Sequence, residues 1–132
     1  MEKVVVIGGG PAGLMASYSA ICSGKSVVLI EKNEKLGKKL YITGKGRCNL
    51  SNATEGEEFL KNVVRNRKFL YASFAGFSST DTQDFFENNG LKLKVERGNR
   101  VFPESDKASD VTKILNKLLI NYGVDIRLNT IV

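Results

Sequence analysis

A chain of 132 residues, 42 % hydrophobic and 26 % charged with only 2 Pro, suffices for one compact domain and has none of the bias of disordered or repetitive segments. It holds no histidine, which removes Ser-His-Asp, Cys-His and histidine-ligated metal chemistry, and its two cysteines, Cys22 and Cys48, form neither a C-x-x-C pair nor a metal spacing. A net charge of +6 favours anionic partners, nucleic acid or a phosphate-bearing cofactor, without choosing between them.

After Met1-Glu2-Lys3 the apolar run is only Val4-Val5-Val6-Ile7, too short for a signal peptide, and no stretch approaches the ~18–20 apolar residues of a membrane span. A reducing, cytoplasmic compartment is the expectation, with no membrane partner. The run itself is β-branched and continuous, as in a parallel strand buried on both faces. It enters Gly8-Gly9-Gly10-Pro11-Ala12-Gly13, where G-x-G-x-x-G falls on Gly8, Gly10 and Gly13. In that motif the first glycine makes the tight turn, the second admits a pyrophosphate to the backbone, and the third lets the helix pack closely on the strand. Pro11 suits the first helical turn, where its missing N–H is no loss.

A helix is predicted over residues 11–23, stopped by Gly24, and a second apolar strand over 27–30 ends in Glu31. Glu31 lies 18 residues after Gly13, near the ~20 at which a carboxylate meets ribose hydroxyls. The helix N-terminus offers free N–H groups and about half a positive charge to a diphosphate. Strand, glycines, helix, stop, strand and acid follow in order within one unit of about 30 residues, the context that turns a weak motif into a dinucleotide-binding prediction. The acid argues against a 2′-phosphate at this position.

Residues 37–52 form a loop dense in donors, with Gly44 and Gly46, the polar Thr43, Asn49, Ser51 and Asn52, and the cations Lys38, Lys39, Lys45 and Arg47. Composition alone leaves it either a ligand cradle or a solvated basic surface. Residues 55–89 are predicted helical: 57–66 carries Phe59, Leu60, Val63 and Val64 at helical spacing, and Thr80 or Asp81 caps a later helix stopped by Gly90. The aromatics at 69, 71, 74, 77, 85 and 86 are assigned to a core in preference to a stacking platform. Leu91, Leu93 and Val95 alternate with charges, Arg97-Gly98-Asn99 turns, and Arg100-Val101-Phe102 returns as the partner strand until Pro103 breaks it. This hairpin interrupts the βαβ rhythm as an insertion or substrate-side flap. Ser109 is expected to cap a helix over 110–122, with Val111, Ile114, Leu115 and Leu118 on one face. Gly123 ends it before a strand over 124–128, which a right-handed crossover puts beside the strand ending in Glu31, in the order third-second-first.

The glycine turn with Glu31-Lys32-Asn33, the block Thr43-Gly44-Lys45-Gly46-Arg47-Cys48-Asn49-Leu50-Ser51-Asn52, and the block Arg97-Gly98-Asn99-Arg100-Val101-Phe102-Pro103 with Ser105, Lys107, Ala108, Ser109 and Asp110 together resemble a family of bacterial flavoproteins. These NAD(P)/FAD-dependent oxidoreductases include aminoacetone oxidase-like enzymes and reductases of dehydro-bile acids. The resemblance spans essentially the whole chain. It implies an α/β, Rossmann-like FAD-binding fold, with residues 1–53 as its first part, 54–106 as a helical segment plus hairpin insertion, and 107–132 as a third crossover.

By the same resemblance, Gly8, Gly10, Pro11, Ala12 and Gly13 hold the pyrophosphate and Glu31 the adenosine ribose. Lys32, Lys38, Thr43 and Asn49 lie near FAD, the last two towards the flavin, and the Val132 backbone meets the adenine. NAD(P)H is a candidate electron donor, a small molecule the expected substrate, and nucleic acid is not expected as a partner. No catalytic residue is assigned, since Cys48, although redox-capable, reads first as a packing residue. A non-enzymatic nucleotide-sensing or RNA-binding module is the competing reading. Family members are several-fold longer, so the chain reads as an amino-terminal fragment that docks a missing segment or self-associates through its first strand.

Overall fold

The computed structural model describes every residue from Met1 to Val132. Its central element is β2 (Ser26–Ile30), flanked in parallel by β1 (Lys3–Ile7) on one side and β6 (Asp125–Arg127) on the other. The registers run from Lys3↔Ser26 to Ile7↔Ile30 and from Val28↔Asp125 to Ile30↔Arg127, so the third-second-first order holds. The fold is α/β and Rossmann-like. Because β2 is paired on both edges, Val27, Val28 and Leu29 are all buried, as a continuous apolar strand requires.

β1 departs from that pattern. As the edge strand it has Val4 and Val6 half-buried but Val5 and Ile7 exposed, so its expected two-sided burial is not present. On the other face, α1 (Pro11–Cys22) and α5 (Ala108–Asn121) pack together over the sheet through Leu14, Val111, Leu115 and Leu119. The buried stripe of α5 is Ala108, Val111, Thr112, Leu115 and Leu119, rotated from the expected one, and Ile114 and Leu118 sit only at its margin. Nor does Ser109 cap this helix: Lys107 occupies the N-cap without a side-chain bond, and Ser109 lies inside the first turn.

The hairpin forms as β4 (Leu93–Glu96) and β5 (Arg100–Pro103) around a 3-10 turn, Arg97–Asn99. Pro103 does not break β5; it closes the ladder opposite Leu93. A third strand escaped the sequence: β3 (Ser51–Asn52), from the end of the basic loop, pairs with Val101 and Arg100. Two residues carry no detectable alternation, so only the tertiary partner reveals it.

Between the sheets, the helix predicted over 57–66 is shorter. α2 (Gly56–Lys61) stops at Asn62, left-handed Asn66 starts a 3-10 turn over Arg67–Leu70, and α3 (Tyr71–Gly76) follows. α4 (Ser79–Asn88) is capped by Ser78, not Thr80 or Asp81. Asp81 N–H donates to Ser78 Oγ and Ser78 N–H to Asp81 Oδ2, a complete capping box. The aromatic series is not one core. Phe86 is buried and Phe85 meets Tyr18 edge-on at 5.2 Å, whereas Phe59 and Phe74 stack on each other at 4.6 Å and Phe69 is 83 % exposed.

No helix is long and apolar enough to cross a membrane. The close approach of α1 to β1 is the tightest feature of the fold: a Cβ on Gly13 would lie 1.8 Å from the Gly8 carbonyl oxygen. Gly13→Ala is therefore expected to lower stability by about 3 kcal/mol, the upper end for overpacking, seen as a fall in the urea midpoint at unchanged m.

Candidate functional site

The carboxyl ends of the parallel strands meet at the glycine turn. Gly8 N–H continues the β1–β2 ladder by donating to the Ile30 carbonyl at 2.8 Å, and its φ of +101° reverses the chain into α1. Gly9 is fixed from two directions. Its N–H donates to Glu31 Oε2 at 2.8 Å, its carbonyl accepts from Gly37 N–H at 2.7 Å, and a Cβ there would come within 2.5 Å of Leu36 Cδ2. Gly10, at the N-cap of α1, is different: nothing lies within 4 Å of where its Cβ would be. The first intrahelical bond is Leu14 N–H to the Gly10 carbonyl, at 2.9 Å, so Ala12 and Gly13 N–H groups have no backbone acceptor. An open position beside free N–H groups at a helix N-terminus fits a diphosphate.

Glu31 is buried at the end of β2. Besides Gly9, its carboxylate accepts from Asn33 N–H at 3.1 Å and Asn33 Nδ2 at 3.3 Å. Burial alone would raise its pKa, but the N–H donors of Asn33, Gly9 and Lys32 and the nearby Lys32 charge outweigh it and hold the carboxyl below its ordinary value. The main chain around Glu31 is equally committed: its N–H donates to the Arg127 carbonyl at 2.9 Å and its carbonyl accepts from Thr130 N–H at 3.0 Å. Those bonds carry the residues after β6 across the mouth of the site.

The result is a cleft of about 410 Å³ whose lining includes Gly8, Gly10, Glu31, Lys32, Lys38 and Val132 from the sequence reading. Asn33, Lys39, Thr130 and Ile131 join them; the sequence reading has residues 130–132 near the adenine, Lys39 among the loop cations and Asn33 in the block after Glu31, without naming any of the four as a ligand contact. Pro11, Ala12 and Gly13 form the start of α1 and are not among the lining residues. Lys38 is also held by Glu34, at 3.1 Å, one turn away.

Thr43 and Asn49 lie outside this cleft. Thr43 Oγ1 donates to the Leu40 carbonyl at 2.8 Å, and the Asn49 amide, oriented to satisfy its surroundings, donates to the carbonyls of Val101 at 3.1 Å and Ser51 at 2.9 Å. Cys48 is buried in the core cluster, and burial pushes its thiol pKa up despite the Thr43 hydrogen bond. That is the opposite of what a nucleophilic thiolate needs. A larger depression, about 790 Å³, is formed by Asn66, Arg67, Lys68, Phe69 and Tyr71 and shares no residue with the cleft. The cleft at the glycine turn is the better dinucleotide site, because it alone joins free N–H donors, a buried carboxylate and the ends of parallel strands.

Residues 2–132 match the HI0933-like protein Rossmann domain. The chain belongs to that family. Among its relatives, the 3-dehydro-bile acid delta(4,6)-reductase of Clostridium scindens is 34 % identical, over 96 % of this chain and 31 % of its own length. The ribosomal RNA dihydrouridine synthase of Escherichia coli is 30 % identical, over 87 % of this chain and 28 % of its own. The chain thus spans less than a third of either relative. Two solved structures share the fold: Thermovibrio ammonificans THI4, with a TM-score of 0.62, 14 % identity and coverage of 97 % of this chain and 38 % of that one; and a flavocytochrome c3 fumarate reductase, with 0.60, 24 %, 97 % and 27 %. The expected kinship with dehydro-bile acid reductases holds, and an NADH oxidase of Thermoanaerobacter brockii is 51 % identical over 31 % of this chain and 6 % of its own length.

The Glu31 bonds have a pH signature. Because the folded-state pKa lies below the ordinary 4.5, the stability they add is fully present above that value and is lost as pH falls through the folded one. Glu31→Gln is expected to be less stable than wild type by about 1–3 kcal/mol at neutral pH, the range for a disrupted buried acceptor. The gap should close on acidification, as followed by denaturant midpoints across the acid range.

Proposed function

We propose that this chain binds the ADP half of FAD and is the cofactor-binding part of a flavin-dependent oxidoreductase. The observation that carries the reading is the pairing of the Gly9 N–H with the buried Glu31 carboxylate beside an open Gly10. The contact locks the turn in a shape with room for a diphosphate. It also leaves Glu31 Oε2 a lone pair for a ribose hydroxyl. Ala12 and Gly13 N–H groups and the α1 dipole take the pyrophosphate, with Lys32 and Lys38 adding positive charge along the cleft. The Val132 main chain borders the adenine, and Thr43 and Asn49 face the flavin. A 2′-phosphate beside Glu31 would meet a carboxylate, which disfavours NADP(H) in this cleft and leaves NAD(P)H the role of electron donor bound elsewhere.

When bound, the isoalloxazine supplies the hydride or electron transfer. The residues of this chain bind and orient it, and none is proposed to carry a proton in the reaction. The substrate is a small molecule reached from the flavin side, and the compartment is the cytoplasm. In the full-length protein, Glu31→Ala should weaken FAD binding by about 1.5–3 kcal/mol, the scale for charge-assisted hydrogen bonds. Gly10→Ala should cost fold stability under about 1 kcal/mol as an N-cap change while also weakening FAD. Unchanged affinity of both variants in dilution titrations followed by flavin fluorescence would rule the assignment out.

As a second reading we propose that RNA takes the place of the small-molecule substrate in the whole protein, against the expectation that nucleic acid is no partner. Between Glu58 and Asp81 the chain has no acidic residue, and this stretch holds Lys61, Arg65, Arg67 and Lys68. Phe69 and Tyr71 are exposed next to these cations, lining the larger depression with Arg67 and Lys68. Lys61 is paired with Glu58, but exposed rings beside the remaining cations suit stacked bases on a phosphate backbone. The Escherichia coli relative named for ribosomal RNA supports the same reading. Full-length protein with Arg65→Glu, Arg67→Glu and Lys68→Glu should lose at least about tenfold in affinity for ribosomal RNA fragments, with a shallower salt dependence. Wild-type protein that fails to bind such fragments at low salt would return the substrate to the small-molecule class.

A further inference from the structure

Between Gly44 and Cys48 the backbone keeps returning to the left-handed region: Gly44, Lys45, Gly46 and Cys48 have φ of 55°, 57°, 85° and 59°. For Lys45 and Cys48 this conformation is disfavoured, and it persists only where the surroundings over-determine it. Part of the constraint comes from below. Cys48 is buried and its N–H donates to the Thr43 carbonyl at 3.0 Å, while a Cβ on Gly44 would lie 2.9 Å from Asn49 N and 3.1 Å from Phe102 Cε1.

The rest comes from Arg47. Its Nε donates to Asp106 Oδ1 at 2.8 Å, its second arm bonds Glu96, and its guanidinium lies 3.9 Å over the Phe102 ring. Lys94 bridges the same two carboxylates, at 3.1 Å to Glu96 and 2.6 Å to Asp106. Two cations and two anions thus balance, and the Arg47 charge, counted in the sequence among those free to meet an anion, is already spent. Both carboxyls sit below their ordinary pKa, through hydrogen bonds to Arg47 and Lys94. Of the two cations only Arg47 belongs to the loop; Lys94 sits in β4.

We propose that Arg47 is the positioning residue for the flavin end of the site: without touching the cofactor, it clamps the 43–49 loop onto β4, β5 and the turn at Asp106, and so keeps Thr43 and Asn49 in place. The proposal rests on the reading that those two residues face the flavin. A planar fork suits this place, because its face lies over Phe102 while two different nitrogens, Nε and a terminal one, each take a separate carboxylate; Lys94 reaches the same pair only through its single nitrogen and has no planar face to stack. The ADP end is held independently, by the glycine turn and Glu31.

The two ends separate the outcomes. In the full-length protein, ADP and FAD affinities and amide exchange over residues 43–49 are measured for wild type, Arg47→Ala, Arg47→Lys and Lys94→Met. Arg47→Ala should lose at least about tenfold in FAD affinity and exchange faster in the loop, yet keep ADP affinity within about twofold. Arg47→Lys should fall between it and wild type, which preserves the test if the alanine variant fails to fold. Lys94→Met should leave the FAD-to-ADP ratio unchanged. Equal losses of ADP and FAD, or undiminished FAD affinity in both Arg47 variants, would overturn the proposal. Wild-type protein that binds ADP but gains nothing from the flavin would instead remove the reading beneath it.

Discussion

The bond from Gly9 N–H to the Glu31 carboxylate is the constraint on which the rest of the site depends. It joins the end of β1 to the end of β2 through a side chain, in a place where the ladder has run out. Burying a carboxylate is costly, and the cost is offset here only because several N–H donors converge on it. Those donors come from the segments that shape the cleft: the glycine turn from one side and Asn33 from the other. Leu36 then closes over Gly9, so the turn is bounded by a hydrogen bond and by an apolar contact. A polar network that is fully satisfied specifies one geometry, which a purely apolar junction would not do.

The second sheet serves the first at a distance. β3, β5 and β4 form a small antiparallel layer that fixes the later half of the basic loop, through Asn49 and Ser51 at its end and through Arg47 nearer its middle. α5 leaves that layer immediately after Asp106 and returns to cover the parallel sheet. Hairpin and crossover are therefore mechanically continuous, which explains how a segment interrupting the βαβ rhythm comes to bear on a nucleotide fold.

The parallel sheet was legible because each of its signals is local: apolar runs of the right length, glycines at fixed spacing, and one acid at a fixed distance. Gly8, Gly10 and Glu31 could be brought together from motif spacing and chain order, crossover handedness placed the last strand beside them, and the family resemblance added Val132. What stayed hidden depends on partners far along the chain. β3 is a strand only because β5 lies beside it, and Arg47 reads as a free cation until Glu96 and Asp106 fold against it. Ser78 lost to Thr80 and Asp81 as a cap because a capping box needs two residues read together. The aromatic series misled for another reason. Spacing places side chains on a common face, but only packing determines whether that face is covered, and Phe69 is not.

Three consecutive glycines open the site, and the structure gives each a different reason to be glycine. Gly8 is required by its backbone angle, Gly9 by the protein atoms around it, and Gly10 by space that the protein itself leaves empty. Selection therefore sees the three positions through separate filters. The first two are policed by folding in every descendant of this sequence, whatever it binds. The third, apart from a small N-cap preference, is policed by the ligand. A lineage that no longer uses its nucleotide would keep the first two glycines and drift at the third, so the residue at that one position is a fossil record of whether a relative still binds.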